Sequence, residues 1–495
     1  MPTNSKIPGV YIVEENAFPN AVVEVATAVP AFIGYTQKAV DGNNSLLNMP
    51  RRIASMAEFI SCFGDAPKPK FELIEADSSA AISFNGKKYS VKRKDQYSLY
   101  HHMLLFYANG GGSCYIVSVG DYSSEIDAEL LTKGLEPLLK EQEPTMVVIP
   151  EAVTLSATDC YALQQATLKH CGSDMRNRVA LLDIYGGYKD RKHPDGDVVN
   201  AFREAIGSEF LSFGAAYYPW VNSSIVQENE LDFENLDIPQ LKAMLTAELE
   251  LATLSDDKKK QGTAYIESIK EGLSYLESNT LHKMLSQTSI LYSQLMREIR
   301  LTLNLLPASA AMAGVITMVD STKGVWKAPA NVSIANVISP SVNLSHEEQE
   351  DLNVPLSGKS INAIRSFTGE GIKVWGARTL DGNSLDWRYI NVRRTLIMLE
   401  ESVKNAARAY VFQPNVESTW IQVKSIITDF LHGIWQRGGL AGAVPTDAYS
   451  VSIGLGETMT PEDILEGYMR ISVLVAITRP GEFIEITFQQ QTPNC

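Results

Sequence analysis

The sequence predicts a multidomain protein of mixed α+β and α/β character. Strand and helix patterns alternate between residues 125 and 221, as in an α/β layer. Two amphipathic helix patterns follow between residues 385 and 440, and strand-like segments lie near both ends of the 495-residue chain. At roughly 100–200 residues per domain, this length corresponds to two to four domains.

The first twenty residues are predicted to form an extended arm. Three prolines in this segment disfavour a helix, and residues 10–13 form an apolar, strand-like run. A short buried strand is expected next, at residues 31–35.

Residues 41–221 contain the clearest short-range signals. Asn85-Gly86, between two strand-like runs, predicts a β-hairpin. The other elements expected here are strands at 114–117, 147–149, 179–184 and 215–220 and helices at 156–170 and 197–207.

The segment 228–250 is acidic, with seven carboxylates and Lys242 as its one basic residue. A helical pattern continues from 239 to about 300, so residues 228–300 are predicted to be an exposed helical insert.

The end of the chain changes from helix to strand. Apolar residues recur three and four apart from Val392 to Tyr410, and again from Trp420 to Ile434. A strand is expected at 471–477, and a second, alternating strand is expected after the break at Pro480-Gly481.

No catalytic, metal or cofactor site is predicted. The net charge of −15 argues against a nucleic-acid binder, because phosphate contacts require a basic face. Five cysteines without a C-x-x-C pair predict neither a disulfide scaffold nor a zinc site. Phosphate-loop and G-x-S-x-G motifs are absent, and no apolar run is long enough to predict membrane insertion.

Several motifs, in order along the chain, resemble the phage tail sheath family, which occurs in contractile phages, tailocins and extracellular contractile injection systems. The most specific is the string Gly-Val-Trp-Lys-Ala-Pro-Ala-Asn at 324–331. The family more often has alanine where this chain has Gly481. The other matching segments are 8–15, 27–35, 106–117, 313–315 together with Asp320, 361–362, 374–380, 387–394 and 479–484.

The resemblance implies a structural subunit rather than an enzyme. Such subunits stack as hexameric rings in a helical sheath around an inner tube, and contraction drives the tube through a target envelope. The implied partners are other copies of the chain, the inner tube protein, and baseplate and terminal cap proteins, without a cofactor. Synthesis is expected in the bacterial cytoplasm, followed by assembly into a phage-tail-like particle that is released or docked at a membrane.

The resemblance also implies a domain division. Residues 1–20 would be an N-terminal arm and 479–495 a C-terminal β-arm. Residues 21–40 and 345–478 would form a core domain facing the inner tube. Residues 41–344 would form an outer domain that carries the variable insert.

Both arms are predicted to pair with neighbouring subunits, since a terminal strand with unpaired backbone groups needs a partner. The alternative is two ordinary edge strands within one monomer. The predicted inter-subunit residues are Val10, Tyr11, Ile12 and Val13 in the first arm and Phe483, Ile484, Glu485, Ile486, Thr487 and Phe488 in the second.

A basic surface is a second expectation. Residues 360–440 contain ten Lys or Arg against seven Asp or Glu. Arg393, Arg394 and Arg408 lie off the apolar stripe, so they are predicted to contact an acidic inner tube or a neighbour. Ordinary solvated arginines are the alternative.

The sequence leaves two other functions open. One is a cytoplasmic, type VI-like secretion sheath component. That family divides the sheath between two chains, whereas this sequence carries N- and C-terminal motifs together, which favours a single-chain tailocin or injection system. The other is a binding or enzymatic module on a tail exterior, housed in residues 228–300.

Overall fold

The computed structural model describes residues 21–76 and 81–485, which form mixed α/β structure as predicted. The strands are β1 (Pro30–Tyr35), β2 (Val40–Asp41), β3 (Asn44–Ser45), β4 (Arg51–Ile53), β5 (Phe71–Glu75), β6 (Ile82–Phe84), β7 (Lys87–Arg93), β8 (Cys114–Gly120), β9 (Met146–Val148), β10 (Val179–Asp183), β11 (Gly214–Tyr218), β12 (Val221–Ser223), β13 (Leu305–Leu306), β14 (Val332–Ser333), β15 (Val337–Pro340), β16 (Asn362–Phe367), β17 (Gly371–Trp375), β18 (Tyr449–Ser452) and β19 (Ser472–Val475).

The helices are α1 (Met56–Phe63), α2 (Leu99–Ala108), α3 (Ala128–Lys133), α4 (Ala157–Lys169), α5 (Val198–Ala205), α6 (Ile238–Leu251), α7 (Asp256–Ser268), α8 (Tyr275–Thr288), α9 (Ile290–Asn304), α10 (Ser309–Lys323), α11 (His346–Asn353), α12 (Ile390–Ala407), α13 (Glu417–Gln436), α14 (Pro445–Ala448) and α15 (Pro461–Leu465).

The chain divides into two compact units. The main unit is Ala26–Arg394, and the C-terminal unit combines Met1–Val25 with Thr395–Cys495. These boundaries differ from the predicted domains: β1 and residues 345–394 belong to the main unit, because β1, β16 and β17 are strands of its sheet. That a core domain faces an inner tube stays a prediction.

A nine-stranded sheet organises the main unit, in the order β14-β17-β16-β11-β10-β9-β1-β8-β4. The six strands from β16 to β8 are parallel, and antiparallel strands lie at both ends. Every residue of β1 is buried, as expected for a strand in a parallel sheet that is covered on both faces. Ile33 packs into a core that includes Leu163 of α4, while the Phe32 ring lies 5.1 Å from that of Phe106 in α2.

Two buried carboxylates hold helix N-termini against this sheet. Glu151 accepts hydrogen bonds from the backbone N–H groups of Ser98 and Leu99 at the start of α2. Asp183 does the same for Ser309 at the start of α10. Burial raises the pKa of Glu151 to about 7 and that of Asp183 to about 6.

The predicted insert has a hydrophobic core of its own. Residues of α6, α8 and α9 pack with β5 and β6, which belong to a second sheet of order β5-β7-β6. The hairpin between β6 and β7 turns at Asn85 and Gly86, whose φ angles of 48° and 74° fit the predicted two-residue turn.

The two long helix patterns near the end of the chain are confirmed as α12 and α13. Val423, Ile427 and Ile434 on one face of α13 are buried, as the spacing predicts. Gly438, with φ of +85°, follows the end of α13, where a left-handed residue commonly terminates a helix.

Candidate functional site

A small antiparallel sheet in the C-terminal unit is the strongest candidate for a contact site. Tyr449–Ser452 (β18) pairs with Ser472–Val475 (β19). The sequence from 472 to 478 is Ser-Val-Leu-Val-Ala-Ile-Thr, which is rich in β-branched residues and uncharged. A two-stranded sheet is marginal by itself and needs packing or further strands for stability.

Helix α13 supports one strand of this sheet. The hydroxyl of Tyr449 lies 3.0 Å from Nδ1 of His432, and burial raises the pKa of Tyr449. Val451 is buried on the same side of the strand, while Leu474 is largely exposed. The sheet therefore has one packed face and one open face.

The alternation of hydrogen-bonded and non-hydrogen-bonded pairs along the β18–β19 ladder shows which way the remaining backbone N–H and C=O groups of β19 point. The N–H of Ala476 donates to the carbonyl of Ala448 at 2.8 Å, so these two residues form a hydrogen-bonded pair. Because such pairs alternate along an antiparallel ladder, Val473 and Val475 occupy non-hydrogen-bonded positions. Their N–H and C=O groups therefore point away from β18.

The same alternation of backbone direction continues past the end of β19. The N–H of Thr478 donates to Gly439 at 3.2 Å, and the carbonyl of Ala476 accepts from Ala441 at 2.7 Å. Ile477 therefore directs its backbone groups to the same outer side as Val475. Among residues 21–76 and 81–485, no strand pairs with this side. We call residues 473–477 the open edge of β19.

A long, uncharged, β-branched edge is a template for pairing with another strand. The sequence predicted a strand at 471–477 but not its role as an acceptor. The signal was present: no charged residue lies between Arg470 and Arg479, so none of the usual edge-blocking side chains occurs there.

Part of the predicted C-terminal arm is described. Phe483 and Ile484 are exposed and, like Glu485, have no regular secondary structure within the chain. The remaining predicted arm residues lie outside the described residues: Ile486, Thr487 and Phe488, and Val10, Tyr11, Ile12 and Val13. Pairing of either arm with another subunit stays a prediction.

Of the three arginines in the predicted basic surface, two are buried. Arg393 is buried, with its guanidinium 3.7 Å from the Trp387 ring centroid and its Nη2 donating to Ser212 at 3.0 Å. Arg394 is buried too and pairs with Asp320. The helical periodicity suggested a solvated face, but the first turns of α12 are buried all round. Arg408 remains exposed and suits an external contact better; a contact with an inner tube stays a prediction.

A groove of about 1220 Å³ lies beside the helical insert, where the sequence left a binding or enzymatic module open. Its lining mixes acidic and basic side chains with His101 and His282. His282 is bonded to the hydroxyl of Tyr292 at 2.8 Å, and burial lowers the pKa of His101 to about 3. A binding or enzymatic module at this groove stays a prediction.

In the described part of the chain, no cluster of three or more His, Cys, Asp or Glu side chains is placed to hold a metal ion. Of the helices given above, none has the length and apolar character needed to cross a membrane.

The chain matches two family models. Residues 250–380 match the phage tail sheath protein central domain, and residues 383–491 match the phage tail sheath C-terminal domain. The tail sheath protein of Vibrio phage KVP40 is 25% identical over 186 residues, which are 37% of this chain and 26% of that protein. The tail sheath protein of Burkholderia phage BcepMu is 30% identical over 113 residues, 22% of this chain and 24% of that protein. Each match therefore spans about a quarter of the curated relative.

Solved structures extend the similarity to nearly the full chain. The PVC sheath complex, from an extracellular contractile injection system in the contracted state, is 28% identical with a TM-score of 0.61, over 99% of both chains. The contracted helical sheath of the anti-feeding prophage is 26% identical with a TM-score of 0.61, over 98% of this chain and 100% of that one. The ordered motifs, the two family domains and this fold together establish that the chain belongs to the phage tail sheath family.

Proposed function

We propose that this chain is a structural subunit of a contractile sheath and not an enzyme. Copies polymerise as stacked six-fold rings around an inner tube, and contraction drives the tube through a target envelope. The similarity to the PVC and anti-feeding-prophage sheaths over at least 98% of the chain supports this proposal. Baseplate and terminal cap proteins complete the particle, which is built from subunits made in the bacterial cytoplasm.

The open edge of β19 is the observation that carries the assembly mechanism. Strand addition to an exposed edge joins subunits through backbone hydrogen bonds. The edge at 473–477 is about 16 Å long at roughly 3.3 Å per residue. The apolar run at 10–13 and the alternating strand pattern at 483–488 span four and six residues. Terminal arms of neighbouring copies therefore suit this edge.

The energy for contraction resides in the interfaces between subunits. A strand-paired mesh lets subunits change orientation while their connections persist. More favourable packing between subunits in the contracted state then supplies the work, without nucleotide hydrolysis.

Electron microscopy of the purified chain, alone and with its inner-tube partner, tests the proposal. We expect regular, striated tubes in at least one of the two samples. Monodisperse single chains in both samples, at concentrations where the inner tube itself polymerises, would contradict it.

A further inference from the structure

The groove beside the helical insert lies wholly within the main unit. One wall is formed by residues 65–70 together with residues of α2. The other is formed by residues between 226 and 235 and by one face of α8. Its volume of about 1220 Å³ exceeds the range of about 300–1,000 Å³ that is usual for small-molecule pockets. A groove of this size suits a chain of linked units better than a single small molecule.

His101 presents a polar edge to this groove. The side chain is 4% exposed and lines the groove. Within the described part of the chain, its ring nitrogens form no hydrogen bond, yet they are not sealed from solvent, unlike both nitrogens of neighbouring His102. Burial lowers the pKa of His101 to about 3, so near pH 7 the neutral ring offers one donor and one acceptor. A buried polar group that opens on a cavity is typical of a ligand site.

Most carboxylates of the groove are already engaged within the fold. Five carboxylates and three lysines line it. Glu228 lies 3.5 Å from Nη1 of Arg300, and Asp232 accepts from a serine hydroxyl of α8 at 2.6 Å. Glu234 accepts from a backbone N–H at 3.2 Å, and its own carbonyl accepts from Nζ of Lys70 at 2.8 Å. These groups position the walls and are not free to bind a charged ligand.

The charged groups that remain available are balanced. Asp65 and Glu230 form no ion pair with any residue that the structure describes. The same holds for Lys68 and Lys283. Because two negative groups are matched by two positive ones, the groove offers no excess charge to attract an ion, and an uncharged ligand is favoured.

Amides and two aromatic rings complete the lining. Asn279 and Gln287 each offer donors and an acceptor. Tyr275, the first residue of α8, is 75% exposed, and Tyr100 of α2 is half-buried. Donors and acceptors held in one plane suit neighbouring hydroxyl groups, and the electron-rich face of an aromatic ring suits the C–H face of a sugar ring.

We propose that this groove binds a neutral oligosaccharide. Tyr275 and Tyr100 stack against sugar rings, while His101 and the amides of α8 hydrogen-bond to hydroxyl groups. The groove includes no residue of the open edge of β19, so this binding activity is separate from assembly. Each subunit then carries a glycan attachment site in addition to its structural role.

Saturation-transfer NMR on the dispersed full chain tests the ligand class. The neutral probes are maltohexaose, cellohexaose and N-acetylated chitohexaose, and the charged probes are hexagalacturonate and hexalysine. We expect at least one neutral probe to bind with a Kd of about 0.1–1 mM and both charged probes to bind at least about tenfold more weakly. Tighter binding of either charged probe, or no transfer to any of the neutral sugars, would overturn the proposal.

A neighbouring pair of residues tests the stacking. Tyr275→Ala should raise the Kd of the neutral sugar about fivefold, because one aromatic contact is lost. Leu276→Ala is the matched control, since both side chains are 75% exposed but only Tyr275 lines the groove. The control should bind as the native chain does, and both variants should keep the native unfolding temperature. Equal Kd values for the two variants would refute stacking on Tyr275.

A second pair locates the bound sugar. Asn279→Trp places a bulky ring in the groove and should abolish binding. Thr280→Trp, at the next residue, is exposed and does not line the groove, so it should bind normally. The unfolding temperature of each variant shows that α8 remains folded. Native binding by a folded Asn279→Trp would place the sugar elsewhere and overturn the assignment to this groove.

Discussion

The guanidinium of Arg394 is paired with the carboxylate of Asp320, and each side chain is only 4% exposed. Nη1 donates to Oδ1 at 3.0 Å, and Nη2 donates to the backbone carbonyl of Thr27 at 2.8 Å. The Thr27 hydroxyl completes the group by donating to Asp320 at 2.6 Å. One ion pair therefore joins α10, α12 and the segment before β1 inside the main unit.

Loss of one partner from this group should destabilise the fold strongly. Arg394→Met leaves the Asp320 carboxylate buried without a counter-charge, which typically costs about 3–5 kcal/mol. The free energy of unfolding in urea, measured on dispersed protein, provides the test. Arg408→Met, at the exposed arginine of the same region, should change it by less than about 0.5 kcal/mol. Equal stability of the two variants would show that the pair contributes little.

The same geometry changes how the predicted basic surface is tested. Charge reversal at Arg393 or Arg394 would place a carboxylate at a buried site, so any loss of assembly would reflect misfolding. Arg408 carries the exposed charge and allows an electrostatic contact to be tested with the fold intact.

A proline at Val475 should block assembly without unfolding the monomer. Because the N–H of Val475 points to the open edge, Val475→Pro removes a donor that no residue of β18 uses. We expect the unfolding temperature to fall by no more than a few degrees and the critical concentration for tubes to rise at least about tenfold.

Leu474→Pro is the matched control, one residue away on the same strand. Leu474 occupies a hydrogen-bonded position opposite Ser450, so proline there breaks the internal ladder and should lower monomer stability. Tubes formed by Val475→Pro at the native critical concentration would exclude backbone pairing at this edge.

Removal of residues 483–495 should leave a folded, monomeric protein. Phe483 and Ile484 are exposed, so their deletion removes no part of the described hydrophobic core. Sedimentation and electron microscopy should show single chains without tubes, because one of the two pairing arms is missing. Tubes of normal appearance would contradict a role for this arm.

Local patterns in the sequence were sufficient for the elements that depend on near neighbours. Asn85-Gly86 gave the hairpin because a two-residue turn selects these residue types. The stripe on α13 appeared because helical periodicity places core residues three and four apart. The strand character of β1 followed from its continuous apolar composition.

Local sequence patterns do not specify which distant residues come into contact. Ala31 pairs with both Tyr115 and Val147, and no local pattern specifies partners so distant. Because β1 is a central strand of the nine-stranded sheet, it belongs to the main unit, which begins at Ala26. The burial of Arg394 likewise depends on Asp320, which lies in a different helix. The acceptor role of β19 depends on which of its two edges the fold leaves unpaired.

His102 should limit stability in acid. It is fully buried in α2, and neither ring nitrogen has a hydrogen-bond partner among the described residues. Burial lowers its pKa to about 3, and neighbouring His101 is lowered to about 3 as well. Since the pKa of His102 in the folded state lies below the usual 6.5, the unfolded state takes up a proton at higher pH than the folded state does. The contribution of neutral His102 to stability is therefore complete above pH 6.5 and is lost as the pH falls towards 3.

Replacement of His102 by Met should therefore stabilise the protein, most of all at low pH. Met fills the site without a group that takes up a proton or lacks a hydrogen bond. We expect a gain of about 1 kcal/mol at pH 7.5 and about 4 kcal/mol at pH 4.5, from urea unfolding at each pH. His346→Met, at an exposed histidine on α11, should leave both values nearly unchanged. Parallel pH profiles for His102→Met and the native chain would show that the ring is protonated equally in the folded and unfolded states.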